Sequence, residues 1–279
     1  MKWGVGALVF TLAAMCALAS TDSAAKHLAK GESLLAARDF DGAIKEFRQA
    51  GRLDPHSSRE HFDLGLALKE KGDLDEAIIE YREAIRIEPG LAEAHANIGS
   101  IFQTKGNLTG AVREYREAIR LEPDLALAHA DLGSALRIKR SLDEAIFELR
   151  EAVRLQPGLA VAHRDLGFTL ALKRDMDGAI SELREAVRLD PAMFEAHWGL
   201  GSALQAKGKL DEAITEFREA LRLDPQSAKA HSSLASAYFM KGNKDEADNE
   251  FAEAERLDPK LKRAIPGQRS KPPQPVPGQ

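Results

Sequence analysis

Residues 58–91, SREHFDLGLALKEKGDLDEAIIEYREAIRIEPGL, carry the pattern from which the fold of the chain is read. Apolar residues recur three and four apart in two stretches, Phe62-Leu64-Leu68 and Ala77-Ile78-Tyr81-Ala84-Ile85, which is the spacing of one helix face. Gly72 and Asp73 interrupt them, and Asp73 followed by Glu76 supplies a side-chain acceptor with a glutamate three residues on, a signal for a helix start. Ser141 and Glu144 repeat that signal in a later copy. Pro89 stops the second stretch, because proline lacks the amide donor and drives the preceding residue out of helical angles. The segment therefore predicts two antiparallel helices joined by a short turn.

Outward from it, the same pattern returns every 34 residues, in Pro55, Pro89, Pro123, Pro157, Pro191, Pro225 and Pro259, and in His27, His61, His95, His129, His163, His197 and His231. Two alanine columns, headed by Ala43 and Ala50, keep the same register. Seven copies follow, at 24–57, 58–91, 92–125, 126–159, 160–193, 194–227 and 228–261. Gly65, Ala77 and Ala84 are small where two helices must approach closely, and their recurrence sets the crossing geometry. Columns expected to touch a neighbouring copy turn polar at the ends, at Lys30, Asp248 and Glu255, as terminal repeats without a neighbour require. The array is expected to be complete.

His61-x2-Leu64-Gly65-x2-Leu68, Ala77-x3-Tyr81 and Pro89 resemble the tetratricopeptide repeat signature, over Ala24 to Leu261, with histidine where that family often has tryptophan. The resemblance implies an all-α, right-handed superhelical α-solenoid of seven helix-turn-helix repeats whose first helices line a concave surface. On that surface it places the column Phe62, Ala96, Ala130, Arg164, Trp198 and Ser232. The peptide-binding residues it implies are Arg59, Phe62, Lys69, Asn97, Asp131, Arg137, Arg164, Asp165, Phe168, Trp198 and Phe239. Exposed rings among guanidiniums and short polar side chains suit peptide recognition, since rings give contact area at low entropic cost. The clamp with which some members hold a terminal carboxylate is not expected, because the corresponding column, Glu32, Leu66, Ser100, Ser134, Phe168, Ser202 and Ser236, lacks its asparagines. Asp63, Asn97, Asp131 and Asp165 are similar to the asparagine ladder that grips peptide backbone in other members, and three acids among them would suit a donor-rich or basic segment. That these residues only cap and solvate helices stays open.

The chain has a formal net charge of -5, which argues against nucleic acid as partner. Equivalent histidines on stacked helices stand about 8–10 Å apart, whereas zinc needs each nitrogen about 2 Å away. The histidine ladder is therefore expected to pack, half-buried and hydrogen-bonded. If its rings were neutral, acid below about pH 6 would charge them together and loosen the array. Glu80, Arg82, Glu83 and Arg86 read as a solvated outer face. No phosphate loop, nucleophile elbow or His-Glu-x-x-His motif occurs. We expect no enzyme, cofactor, metal or small-molecule substrate, with a histidine-based metal protein or enzyme as the minor alternative. Asn107-Leu108-Thr109 is a glycosylation sequon.

MKWGVGALVFTLAAMCALAS, at residues 1–20, has the charge, apolar run and small residues of a secretory signal, cleaved after Ala19 and followed by a leader at 20–23. A secreted or periplasmic protein is expected, with an uncleaved membrane anchor through residues 4–19, or a lipid on Cys16, as alternatives. Cys16 is the only cysteine, so the cleaved chain would hold no disulfide. Residues 262–279 carry five prolines and no apolar period, and are expected to be a disordered tail. The function expected is an exported protein-interaction scaffold; an envelope assembly subunit working through its outer face or tail is the alternative.

Overall fold

The computed structural model describes residues 23–260. The expected signal, the leader residues 20–22, Leu261 and the proline-rich tail lie outside them. Helix α1 spans residues 23–36. It is followed by α2 (Phe40–Leu53), α3 (Ser58–Lys71), α4 (Leu74–Ile87), α5 (Ala92–Thr104), α6 (Leu108–Leu121) and α7 (Ala126–Ile138). Then come α8 (Leu142–Leu155), α9 (Ala160–Leu172), α10 (Met176–Leu189), α11 (Phe194–Ala206), α12 (Leu210–Leu223), α13 (Ala228–Lys241) and α14 (Lys244–Leu257). No strand occurs among the described residues, so the chain is an all-α solenoid of helix pairs, odd-numbered helices first and even-numbered second.

The chain divides into two compact units, Met1–Arg140 and Ser141–Gln279. The first holds α1–α7 and centres on Phe47, Leu68, Tyr81 and Ile98. The second holds α8–α14 and centres on Leu149, Leu183, Leu204 and Phe217. In both, the alanine columns are the tightest points: Ala43, Ala77, Ala111, Ala145, Ala179 and Ala213 have no exposed surface. Gly65 and Gly99 serve the same purpose from the first helix. A Cβ at Gly99 would stand 2.7 Å from the ring of Tyr115, so the facing aromatic takes the space a side chain would need.

Helix starts differ in part from the expectation. Asp73 and Ser141 stand at the N-cap positions of α4 and α8 but make no side-chain cap. Asp73 instead meets Lys71 at 3.1 Å. Side-chain caps form at Asp39, Asn107 and Asp175, each accepting from the backbone N–H of a glycine three residues on. Those copies have glycine where the others carry the third-position glutamate, so the reciprocal partner is absent and the short acceptor still serves. The sequon residue Asn107 is thereby the cap of α6.

Candidate peptide-binding face

The face was expected on the first helices. In the first unit α5 touches α7, and in the second α11 touches both α9 and α13, whereas no comparable contact joins second helices among the described residues. First helices therefore converge on the inner side of each unit.

In the first unit, Arg59 pairs with Glu32 and holds Nε 3.7 Å from Asp63 Oδ2, too far for a hydrogen bond. Asp63 Oδ2 is buried without a hydrogen-bond partner among the described residues. Burial first, and the neighbouring Glu32 charge second, push the Asp63 carboxyl up to about 6. Phe62 is half-buried rather than exposed: its ring meets Tyr81 edge-on with centroids 5.6 Å apart. Lys69 Nζ donates to Asn97 Oδ1 at 2.7 Å, and Asn97 Nδ2 donates to the Glu93 carbonyl at 3.0 Å. A 300 Å³ cavity lies over this pair, with Asp131, Leu125 and the exposed Leu127 on its walls. Arg137 is half-buried on α7.

In the second unit, Phe168 and Trp198 stand 6.3 Å apart, ring to ring. Lys229 Nζ lies 3.3 Å from the Trp198 ring centroid, a cation-π contact. Burial holds the Lys229 ammonium below its ordinary range, since the site strips part of its hydration. Trp198 Nε1 donates to Ser233 Oγ at 3.1 Å. Glycine at 199 makes the cluster possible, because a Cβ there would meet Phe168 at 2.4 Å. Phe168, Trp198 and Phe239 are partly buried against the core, not the fully exposed rings the sequence suggested. Asp165 is a clearer correction. It is only 5% exposed, with Oδ1 3.0 Å from Arg164 Nε, so this member of the acidic column faces its neighbour instead of solvent. Each unit taken by itself thus carries a set of these residues, Arg59-Phe62-Asp63-Lys69-Asn97-Asp131 on the first and Arg164-Phe168-Trp198-Phe239 on the second.

Tetratricopeptide repeat models match residues 28–92 and 228–261, and a TPR repeat model matches residues 101–137 and 202–242. The chain belongs to the tetratricopeptide repeat family. Among solved structures it is similar to MamA, at 28% identity and a TM-score of 0.53, covering 58% of this chain and 95% of that one. It is also similar to YrrB, described as a TPR protein with an unusual peptide-binding site, at 25% identity and a TM-score of 0.55, over 65% of this chain and 93% of that one. Pseudomonas aeruginosa PilF shares the fold at 22% identity and a TM-score of 0.66, over 73% of this chain and 92% of that one. No curated protein matches the sequence.

In this tetratricopeptide repeat protein six members of the histidine column pair across their own hairpins. Nδ1 of His27, His61, His95, His163, His197 and His231 lies 2.5 to 2.9 Å from a glutamate oxygen 19 residues on. Those glutamates, Glu46, Glu80, Glu114, Glu182, Glu216 and Glu250, form a 34-residue column of their own. The packing role expected of the histidines stands, but Glu80 is half-buried on His61 and does not belong to the solvated outer face. These partners lie far beyond one helical turn of each histidine in sequence, because they sit on the second helix of the pair. The glutamate column was the available signal. Among the described residues no group of three or more histidine, cysteine or acidic side chains is placed to hold a metal ion. No described helix is long and apolar enough to cross a membrane.

Proposed function

We propose that the protein is a non-enzymatic scaffold, exported from the cytoplasm, that holds a polypeptide segment on the first-helix face. Membership of a family whose repeats act as protein-interaction scaffolds supports the general reading. The observation that carries the site is Trp198, half-buried with one face under Lys229, its edge on Ser233 and Phe168 alongside. Such an aromatic anchor, rigid and ringed by polar groups, is where truncation costs binding energy most. Export rests on residues 1–19 alone.

Affinity capture with residues 20–279 from an extract of the source cells, beside a Trp198→Ala, Arg164→Glu double variant, tests the site. A protein retained by the wild type and lost by the folded variant is expected; equal recovery would move the site to the outer face or the tail. N-terminal sequencing of the protein from cell fractions tests export, and an intact Met1 in the cytoplasmic fraction would overturn it.

A further inference from the structure

Where α2 packs on α3, two columns of the repeat depart from their pattern together. The position of Gly51 is held by Ile85, Ile119, Val153, Val187 and Leu221 in the next five copies. The position of Glu60 is alanine in every later copy, Ala94, Ala128, Ala162, Ala196 and Ala230, all with no exposed surface. In the second unit the equivalent pair, Val187 and Ala196, packs into one apolar cluster and closes the space. At Gly51 no atom of the described residues beyond the local helix lies within 4 Å of where a Cβ would stand.

The result is a 290 Å³ cavity floored by Phe47 and Leu64 and walled by Arg48, Arg52, Glu60 and the His61–Glu80 pair. Glu60 is only 6% exposed, yet its Oε2 has no hydrogen-bond partner among the described residues. An oxygen buried without a donor is costly, so a glutamate in an alanine column needs a donor that the described residues do not supply. The other charged walls are already engaged: Arg48 pairs with Glu76, and Glu80 with His61. The exposed Arg52 guanidinium stands at the rim of the same cavity.

We propose that this cavity binds a small zwitterion of amino-acid size, its ammonium group on Glu60, its carboxylate on Arg52 and its apolar part against Phe47 and Leu64. None of its lining residues belongs to the Arg59-Phe62-Asp63-Lys69-Asn97-Asp131 cluster, and binding there does not depend on a polypeptide occupying that cluster. One buried acceptor, one guanidinium and an apolar floor match the three parts of an α-amino acid. Two substitutions away from the repeat pattern, one opening the space and one charging it, make a site where the other copies have packing.

The test is a thermal-shift and calorimetric titration of the full chain with the twenty standard amino acids, with propylamine and propionate as half-probes. Glu60→Ala and Gly51→Val serve as controls; both restore residues the other copies carry, and circular dichroism confirms that they fold. We expect at least one amino acid to raise the melting temperature by about 2 °C or more near saturation, with affinity lowered at least tenfold in both variants. No shift with any amino acid, or an equal shift in both variants, would overturn the site. Propylamine acting as strongly as the amino acid would overturn the zwitterionic class.

Discussion

His163 Nδ1 lies 2.7 Å from Glu182 Oε2, a bond that ties α9 to α10 inside one repeat. The other ring nitrogen, Nε2, lies 3.0 Å from the carbonyl oxygen of Pro157, at the end of the preceding repeat. One imidazole thus joins both helices of its pair to the turn before them. His163→Ala and Glu182→Ala are each expected to destabilise the protein, and a double-mutant cycle by urea unfolding should show a coupling of about 1 kcal/mol. Additive losses would mean that the two side chains only fill space.

In the His95–Glu114 pair acid acts on the carboxylate. Glu114 is held below the ordinary glutamate range, chiefly by its hydrogen bond from His95 and further by Arg113. A carboxyl whose folded value is depressed contributes stability above its unfolded value and loses it as pH falls through the folded one. Glu114's share should therefore be complete above the ordinary glutamate range and be lost only as the pH falls below it. A Glu114→Gln variant that tracks wild-type stability across pH 7 to 3 would count against the pairing.

Asp63 runs the other way. Its folded value is pushed up to about 6, so the proton is held in the folded state and that contribution is complete below the unfolded aspartate value. The contribution is lost as pH rises through 6. Asp63→Asn should be more stable than wild type at pH 7.5 by about 1 kcal/mol, after allowance for the solvent that still reaches the group. The difference should shrink toward pH 4, and a difference independent of pH would mean that ionisation is not its source.

The turn after each first helix needs one residue in the left-handed region. Gly72, Gly106, Gly208 and Gly242 fill it with φ between 73° and 98°, but Arg38, Arg140 and Arg174 fill it in the other copies, at 61°, 67° and 67°. A side chain there costs about 1 kcal/mol relative to glycine. Arg174→Gly should raise stability by that order in chemical denaturation, and an unchanged midpoint would sink the argument.

Gly99 illustrates the opposite constraint. Alanine there would press its methyl group against the buried Tyr115 ring, and we expect a loss of about 1–3 kcal/mol. If the facing ring is the cause, Gly99→Ala should cost less in a Tyr115→Ala background, where the ring is gone, than in the wild type. An equal cost in both backgrounds would place the strain elsewhere.

The 34-residue period, the helix spacing around Phe62 and Tyr81, and the stops at the proline column were enough to determine the family and the helix pairs. Each of these is written within a few turns of chain, where backbone geometry and the apolar stripe decide the outcome locally. The His163–Glu182 bond, the burial of Asp165, the unpaired Glu60 oxygen and the cradle of Phe168 over Gly199 were decided only by the tertiary structure. They depend on how two helices face one another across a turn or between repeats. An acid in the sequence reads as solvated until a neighbouring helix is placed over it, and Asp165, Glu80 and Glu60 look alike in composition yet meet an arginine, a histidine and an open cavity.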